Sequence, residues 1–203
     1  SCDFCDTDHK KATEMTLKQI VNRIEDIRNM QCSTPRFLRS KSRPKCVFNG
    51  GEPLIQLDSE LVKTARELGL SPCVETNGTV ESHENSELPR TLNLCDEVII
   101  SPKTPQISMN ILDYGTCLKV LVPLEGSAAD SRVCYFVDRL GKRRFLPKEK
   151  DLILQPITPK EGMQSKEFFK NCRDAMHLAS MWRYKYGENW RVIPQTHKVM
   201  ELR

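Results

Sequence analysis

Residues 45–76 read KCVFNGGEPLIQLDSELVKTARELGLSPCVET, and this stretch decides the fold class. Two short apolar runs, 45–49 and 72–75, flank a longer segment whose apolar residues repeat at helical spacing. That segment begins at Asp58, a residue type that caps helices, and ends at Gly69, a residue type that stops them. A strand, a helix and a second strand in this order predict two parallel strands joined by a crossover helix.

The same alternation of strands and helices continues on both sides of this stretch. Upstream, Thr16 and Gln19 fit a capping box that begins a helix. Downstream, Ser165 is placed to cap a long helix. The sequence therefore predicts an α/β fold with a mainly parallel sheet. Four more strands are predicted at 96–100, 117–122, 152–155 and 190–193, and the last helix carries an apolar stripe of Phe168, Cys172, Ala175, Met176, Ala179 and Trp182.

Length and charge limit the classes of protein to consider. The 203 residues suit one domain, residues 1–203, with a sizeable core. The 31 lysines and arginines against 27 acidic residues give a net charge of +4. No basic run is interleaved with aromatic residues, so we predict no direct nucleic-acid partner. The longest apolar runs have only a handful of residues, so we predict no membrane contact.

The chain has nine cysteines, and their number and placement do not suit the disulfide framework of a secreted protein. Their number is odd, and most of them lie within apolar runs, where cysteine behaves as a small buried hydrophobic residue. We therefore expect a reducing, cytoplasmic environment. Cys2 and Cys5 differ, because they lie together in a polar segment. Two thiolates at this spacing can ligate a metal, hold two corners of an iron–sulfur cluster, or form a redox disulfide.

Unusual polar motifs follow the carboxyl ends of the predicted strands. In parallel α/β folds this edge binds ligands, because loops vary there while the sheet holds them in place. Glycines let a backbone approach a ligand closely, and a carboxylate beside them can receive an ammonium group. A tight turn before a helix is the alternative interpretation of such a motif. The motifs are Gly50-Gly51-Glu52, Glu75-Thr76-Asn77-Gly78, Ser101-Pro102-Lys103, Gln155-Pro156 and Gln195-Thr196-His197.

Together these motifs resemble one family of the radical S-adenosylmethionine superfamily, the 7-carboxy-7-deazaguanine synthases. The resemblance covers essentially the whole chain in the family's order, from Cys2-x-x-Cys5-Asp6-Thr7 to Gln195-Thr-His-Lys198. It implies an abbreviated, partly open (β/α) barrel of the radical S-adenosylmethionine type. The family has a third cluster cysteine and a first strand before this point. We therefore expect that the first strand is missing from this chain and that the domain is incomplete at its N-terminus.

The resemblance implies a lyase that converts 6-carboxy-5,6,7,8-tetrahydropterin to 7-carboxy-7-deazaguanine with loss of ammonia, in queuosine and deazapurine biosynthesis. Its cofactors would be a 4Fe-4S cluster, S-adenosyl-L-methionine and Mg2+. Besides the pterin substrate, the expected partners are an electron donor of the flavodoxin or ferredoxin type and a second copy in a homodimer. Two alternatives stay open: another small radical S-adenosylmethionine enzyme of the glycyl-radical activase type, and a degenerate binding protein without a cluster.

The resemblance also implies roles for particular residues. Cys2 and Cys5 would ligate the cluster, and Thr7 would bind magnesium. The substrate would contact Asn49, which stands where the family usually has threonine, together with Gln195, His197 and Arg203. S-adenosylmethionine would contact Gly50, Gly51, Glu52, Glu75, Asn77, Ser101, Pro102, Lys103, Gln155, Pro156, Ile157 and Thr158.

Overall fold

The structure is a computed structural model that describes residues 13–31, 43–81, 87–103, 107–122, 151–159, 162–187 and 190–195. Six strands form one sheet, with neighbours in the order β1-β2-β3-β4-β5-β6. The pairs β1–β2, β3–β4, β4–β5 and β5–β6 are parallel. This open parallel α/β sheet confirms the predicted fold class. The strands are Lys45–Phe48, Ser71–Thr76, Glu97–Ile100, Cys117–Val122, Asp151–Pro156 and Trp190–Val192.

Among the described residues, helices connect β1 to β2, β2 to β3, β3 to β4 and β5 to β6. A short helix, α4, was not predicted, because its six residues are too few for a periodic apolar pattern to stand out. Residues 126–150, whose sequence at 133–140 suits either a helix or a strand, lie outside the described residues. The helices are α1 (Leu17–Gln31), a 3-10 turn (Pro53–Ile55), α2 (Ser59–Glu67), α3 (Glu87–Asn93), α4 (Met109–Tyr114) and α5 (Lys166–Tyr186).

Three helices begin at the side-chain caps that the sequence predicted. The backbone N–H of Thr16 donates to the Oε1 atom of Gln19 at 2.8 Å, and the N–H of Gln19 donates back to the Thr16 hydroxyl at 3.3 Å. The Asp58 carboxylate accepts from the third residue of α2 at 2.8 Å. The Ser165 hydroxyl accepts from the third residue of α5 at 3.1 Å. Each cap satisfies backbone donors that the first helical turn leaves unpaired.

The chain divides into two compact units, Ser1–Thr76 with Ser82–Val98, and Asn77–Glu81 with Ile99–Arg203. In the first unit, α2 packs on β2 and on α3. Its described core is formed by fully buried side chains from these elements, including Val62, Cys73 and Val74. The Arg66 guanidinium pairs with the Asp96 carboxylate, which also accepts from the Ser71 hydroxyl at 2.7 Å. Through Asp96, helix α2 is thereby tied to the start of β2 and to the residue that precedes β3.

In the second unit, α5 packs against β4, β5 and β6. The rings of Trp182 on α5 and Trp190 on β6 meet edge to face with centroids 4.7 Å apart. The predicted apolar stripe of α5 is wrong at Met176, whose surface is 54% exposed. A polar residue, Asn171, is buried on this helix instead, because its amide has a hydrogen-bond partner in the second unit, described below.

Two elements lie less deeply than the sequence pattern suggested. The apolar face of α1 is only half-buried, and Ile27 on that face is 46% exposed. Strand β1 lies at one end of the sheet order, with Val47 exposed. In the described part of the chain, five cysteines are free thiols, as expected for cysteines in apolar runs. No described helix is long and apolar enough to cross a membrane.

Candidate functional site

The predicted site residues divide into those that the structure describes and those that lie outside it. Cys2, Cys5, Thr7, His197 and Arg203 lie outside the described residues. Within the described ranges, no group of three or more His, Cys, Asp and Glu side chains comes together as a metal site. The remaining predicted residues are described, and each follows or ends a strand: Asn49 to Glu52 after β1, Glu75 in β2, Asn77 after β2, Ser101 to Lys103 after β3, Gln155 to Thr158 at the end of β5, and Gln195 after β6.

In the first unit, the loop after β1 presents a carboxylate that is held in place. Gly50 has φ +133°, a backbone conformation that side-chain-bearing residues rarely adopt. The chain then reaches Glu52, which is half-buried and caps the 3-10 turn. Its Oε1 atom accepts from the N–H of Leu54 at 3.1 Å and from the hydroxyl of Thr76 at 2.7 Å. A carboxylate oriented in this way is suited to receive a cationic donor.

Thr76 lies within the predicted motif Glu75-Thr76-Asn77-Gly78, but the sequence analysis assigned it no role. It is the last residue of β2, and only 1% of its surface is exposed. Alternate residues of a strand share one face, so Thr76 lies on the same face as the fully buried Val74. The alternation of faces along β2 could have predicted from the sequence that Thr76 is buried. It could not have predicted which side chain the Thr76 hydroxyl contacts. Glu75, the neighbour that was predicted, is half-buried.

In the second unit, Asn77 and Gly78 form a tight turn after β2. The Asn77 side-chain oxygen accepts from the N–H of Thr79 at 2.8 Å and from its hydroxyl at 2.7 Å, the arrangement of an Asx turn. Gly78 has φ +78°, and a Cβ atom there would lie 3.1 Å from a methyl carbon of Ile107. The turn therefore requires glycine for both conformation and space.

The loop after β3 places a lysine ammonium group beside a buried hydroxyl. The Nζ atom of Lys103 donates to the Ser101 hydroxyl at 2.7 Å. Ser101 is 2% exposed, and Lys103 and Pro102 are half-buried. A partly buried ammonium group provides a fixed positive charge that suits an anionic or oxygen-rich ligand.

Two side-chain amides hold the loop that follows β5. The N–H of Ile157 donates to the carbonyl of Val122 at 2.6 Å, which extends the pairing of β4 and β5. The carbonyl of Ile157 accepts from the buried Asn171 amide at 3.0 Å. The N–H of Thr158 donates to the Oε1 atom of Gln195 at 3.0 Å. Neither amide's partner could be predicted from the sequence, because the hydrogen bonds join residues that are 14 and 37 positions apart.

This bonding leaves one polar atom of the β5 loop without a partner. Thr158 is 8% exposed, and its hydroxyl oxygen is buried and makes no hydrogen bond to the part of the chain that the structure describes. Buried polar groups are nearly always paired, so an unpaired hydroxyl in a loop at a strand end indicates where a ligand atom can bind. Within the described residues, the first unit thus offers the Glu52 carboxylate, and the second unit separately offers the Lys103 ammonium group and the Thr158 hydroxyl.

Comparisons with known proteins agree with this architecture. No protein-family profile matches the chain. The 7-carboxy-7-deazaguanine synthase of Bacteroides thetaiotaomicron is 23% identical over 205 aligned residues, covering all of this chain and 81% of the relative. The enzyme of the same name from Bradyrhizobium diazoefficiens is 27% identical over 203 residues, covering all of this chain and 79% of the relative. That of Nitratidesulfovibrio vulgaris is 30% identical over 160 residues, 79% of this chain and 60% of the relative.

A solved structure shows the same fold. The crystal structure of QueE from Escherichia coli superposes with a TM-score of 0.55 and 21% sequence identity, over 96% of this chain and 79% of that one. The open parallel sheet therefore has the fold of that structure, in agreement with the predicted partial barrel. The three relatives share one name, and two of them span the whole chain, so this chain is similar over its full length to 7-carboxy-7-deazaguanine synthases.

Proposed function

We propose that the protein is a radical S-adenosylmethionine lyase that converts 6-carboxy-5,6,7,8-tetrahydropterin to 7-carboxy-7-deazaguanine with loss of ammonia. The observation that carries this proposal is the match to 7-carboxy-7-deazaguanine synthases across the full length of this chain. The product would enter queuosine and related deazapurine biosynthesis. We place the reaction in the cytoplasm.

The proposed contacts of S-adenosylmethionine are residues at strand ends. Glu52 would receive the ammonium group of the methionine end, because its carboxylate is oriented by two hydrogen bonds. Gly50 would allow the backbone to turn in the conformation that this requires. Thr158 would bind a ligand oxygen or nitrogen through its unpaired buried hydroxyl. We propose the same ligand for the remaining predicted contacts: Gly51, Glu75, Asn77, Ser101, Pro102, Lys103, Gln155, Pro156 and Ile157.

The cluster, the metal ion and the substrate would be bound by other residues. Cys2 and Cys5 would ligate a 4Fe-4S cluster, which would supply one-electron reduction of bound S-adenosylmethionine. Thr7 would provide an oxygen ligand to Mg2+. Asn49, Gln195, His197 and Arg203 are the proposed pterin contacts. A flavodoxin- or ferredoxin-type protein would reduce the cluster, and the working form would be a homodimer.

The proposal is tested by treating the protein anaerobically with iron and sulfide and recording electron paramagnetic resonance after reduction. We expect a cluster signal that shifts when S-adenosylmethionine is added, and turnover of 6-carboxy-5,6,7,8-tetrahydropterin with release of ammonia. A shifting signal without turnover of the pterin would favour another radical S-adenosylmethionine reaction, such as glycyl-radical activation. Pterin or nucleoside binding with no cluster signal would favour a cluster-free binding protein and would contradict the proposed lyase.

The matched variants for this test are Glu52→Ala and Glu60→Ala. Glu52 carries the proposed ammonium contact, whereas Glu60 is an exposed glutamate in the first turn of α2. We expect Glu52→Ala to remove the S-adenosylmethionine-dependent shift and Glu60→Ala to retain it. Retention of the shift in both variants would contradict the assignment of Glu52.

A further inference from the structure

Thr76 is buried at the end of β2 and is directed at the proposed cofactor-binding carboxylate. Its hydroxyl donates to the Oε1 atom of Glu52 at 2.7 Å, across 24 residues of sequence. With 1% of its surface exposed, Thr76 itself is shielded from solvent. The residue is therefore positioned to act on Glu52 rather than to serve as a surface contact.

The Glu52 carboxylate is oriented by donors from two directions. One is local, because the N–H of Leu54 reaches Oε1 at 3.1 Å and makes Glu52 the cap of the 3-10 turn. The other is the hydroxyl of Thr76, which comes from a different strand. A glutamate side chain otherwise loses considerable rotamer freedom when it binds a ligand. Two donors that converge on one oxygen hold the side chain in place before the ligand arrives.

We propose that Thr76 is a positioning residue that fixes Glu52 to receive the ammonium group of S-adenosylmethionine. This inference rests on the proposed function, because it deepens the account of the same binding site. The donor of this contact is the hydroxyl of Thr76. Valine has nearly the same shape as threonine but no donor, so Thr76→Val removes the hydrogen bond with little change in packing.

The chain offers a matched control in Thr91, another buried threonine of the first unit. Thr91 is 0% exposed, and its hydroxyl donates to the carbonyl of Glu87 within α3 at 2.9 Å. Thr91→Val therefore removes one buried hydroxyl, as Thr76→Val does, but does not touch Glu52. Thr76→Ser keeps a hydroxyl at the position and serves as the rescuing variant.

The experiment measures equilibrium binding of two ligands to the anaerobically reconstituted protein by calorimetry. S-adenosylhomocysteine carries the amino and carboxylate groups of the cofactor, whereas 5′-methylthioadenosine keeps the nucleoside and lacks both. We expect Thr76→Val to weaken S-adenosylhomocysteine binding about tenfold, the usual effect of losing a hydrogen bond to a charged group. Binding of 5′-methylthioadenosine should be unchanged, and Thr76→Ser and Thr91→Val should bind both ligands like the wild type.

A double substitution tests whether Thr76 affects ligand binding through Glu52. In a Glu52→Ala background, adding Thr76→Val should weaken S-adenosylhomocysteine binding no further, because the carboxylate that Thr76 positions is gone. Thermal unfolding of each variant establishes that it is folded, and Thr76→Ser tests the idea even where Thr76→Val is unstable.

The outcomes separate this inference from the proposed function. If the wild type binds S-adenosylhomocysteine and Thr76→Val binds it equally well, the inference is wrong and the proposed function stands. If Thr76→Val weakens both ligands to the same extent, Thr76 has a general structural role and the inference is again wrong. A wild-type protein that binds neither ligand overturns the proposed function and the inference with it.

Discussion

The side-chain oxygen of Gln195 accepts a hydrogen bond from the backbone N–H of Thr158 at 3.0 Å and thereby ties the segment after β6 to the loop after β5. Thr158 is buried, so its N–H would have no access to solvent without this partner. Gln195 was predicted as a substrate contact, and that role stays a prediction. The hydrogen bond adds a second role, in which Gln195 holds the loop that carries the unpaired Thr158 hydroxyl.

Replacing Gln195 tests this supporting role. We expect Gln195→Ala to lower the free energy of unfolding by about 1–2 kcal/mol, because it leaves a buried N–H without an acceptor. Gln195→Glu keeps an acceptor at the same position, so we expect a loss of less than about 0.5 kcal/mol. Urea denaturation measures both values. Equal losses in the two variants would mean that the hydrogen bond to Thr158 does not support the loop.

A buried amide on α5 holds the same loop from the other side. Asn171→Asp replaces the amide donor to the Ile157 carbonyl with an oxygen at a position that is 2% exposed. Burial raises the pKa of the introduced carboxyl group above its usual value. The unfolded chain then releases its proton more readily than the folded one, so the variant loses stability as pH rises above about 4.

We expect Asn171→Asp to be less stable than the wild type by about 2–4 kcal/mol near neutral pH and by clearly less in acid, where the protonated carboxyl group can donate to Ile157. The control is Asn93→Asp, which makes the same chemical change on an exposed residue at the end of α3. Urea denaturation at several pH values measures the difference. A pH-independent loss for Asn171→Asp, parallel to that of Asn93→Asp, would contradict this account.

The elements of the fold could be predicted from the sequence because their signals are local. Thr16, Asp58 and Ser165 each bond within three residues, so their spacing in the sequence is enough to locate three helix starts. The strands were visible as short apolar runs. The error at Met176 arose because hydrophobicity was read as burial, whereas Asn171 takes the buried position on α5 since its amide is paired.

The contacts that support the candidate site were not predictable in the same way. Thr76 meets Glu52, and Gln195 meets Thr158, only after the chain has crossed from one strand to another. The motifs showed which segments follow strand ends, and the fold class implies that such ends bind ligands. Which side chains orient one another there depends on tertiary packing, for which a single sequence carries no periodic signal.

Two buried thiols of the first unit, those of Cys73 and Cys95, make its folding stability depend on pH in the alkaline range. Burial, followed by the nearby Glu97 carboxylate, raises the pKa of Cys73 to about 11. Burial, followed by the neighbouring Cys73, raises the pKa of Cys95 to about 11. Since both folded-state pKa values exceed the ordinary value of 9.0, the stability contributed by the neutral thiols is complete below pH 9 and is lost between about pH 9 and 11.

We expect the double variant Cys73→Ala, Cys95→Ala to lose stability less steeply than the wild type across that range. Lysine and tyrosine residues titrate there in both proteins, so the comparison isolates the two thiols. The measurement is urea denaturation under reducing conditions from about pH 8 to about pH 10.5. Identical pH profiles would mean that Cys73 and Cys95 ionise equally readily in the folded and unfolded chains.

Gly50 and Gly69 provide a last pair of variants, because both have positive φ and open space around the Cβ position but only Gly50 belongs to the candidate site. Gly69, at φ +76°, lies near the left-handed region that alanine enters at a cost of about 1–2 kcal/mol. Gly50, at φ +133°, lies in a region populated almost only by glycine, so Gly50→Ala should cost about 1–3 kcal/mol or make the loop change conformation. Because a changed loop displaces Glu52, we expect Gly50→Ala to weaken S-adenosylhomocysteine binding about tenfold, the effect expected from losing a charge-assisted contact.

The control, Gly69→Ala, should bind S-adenosylhomocysteine like the wild type despite its own loss of stability. Urea denaturation and calorimetry on the two variants measure both quantities, and equal binding by Gly50→Ala and Gly69→Ala would show that the backbone conformation at Gly50 does not position the carboxylate.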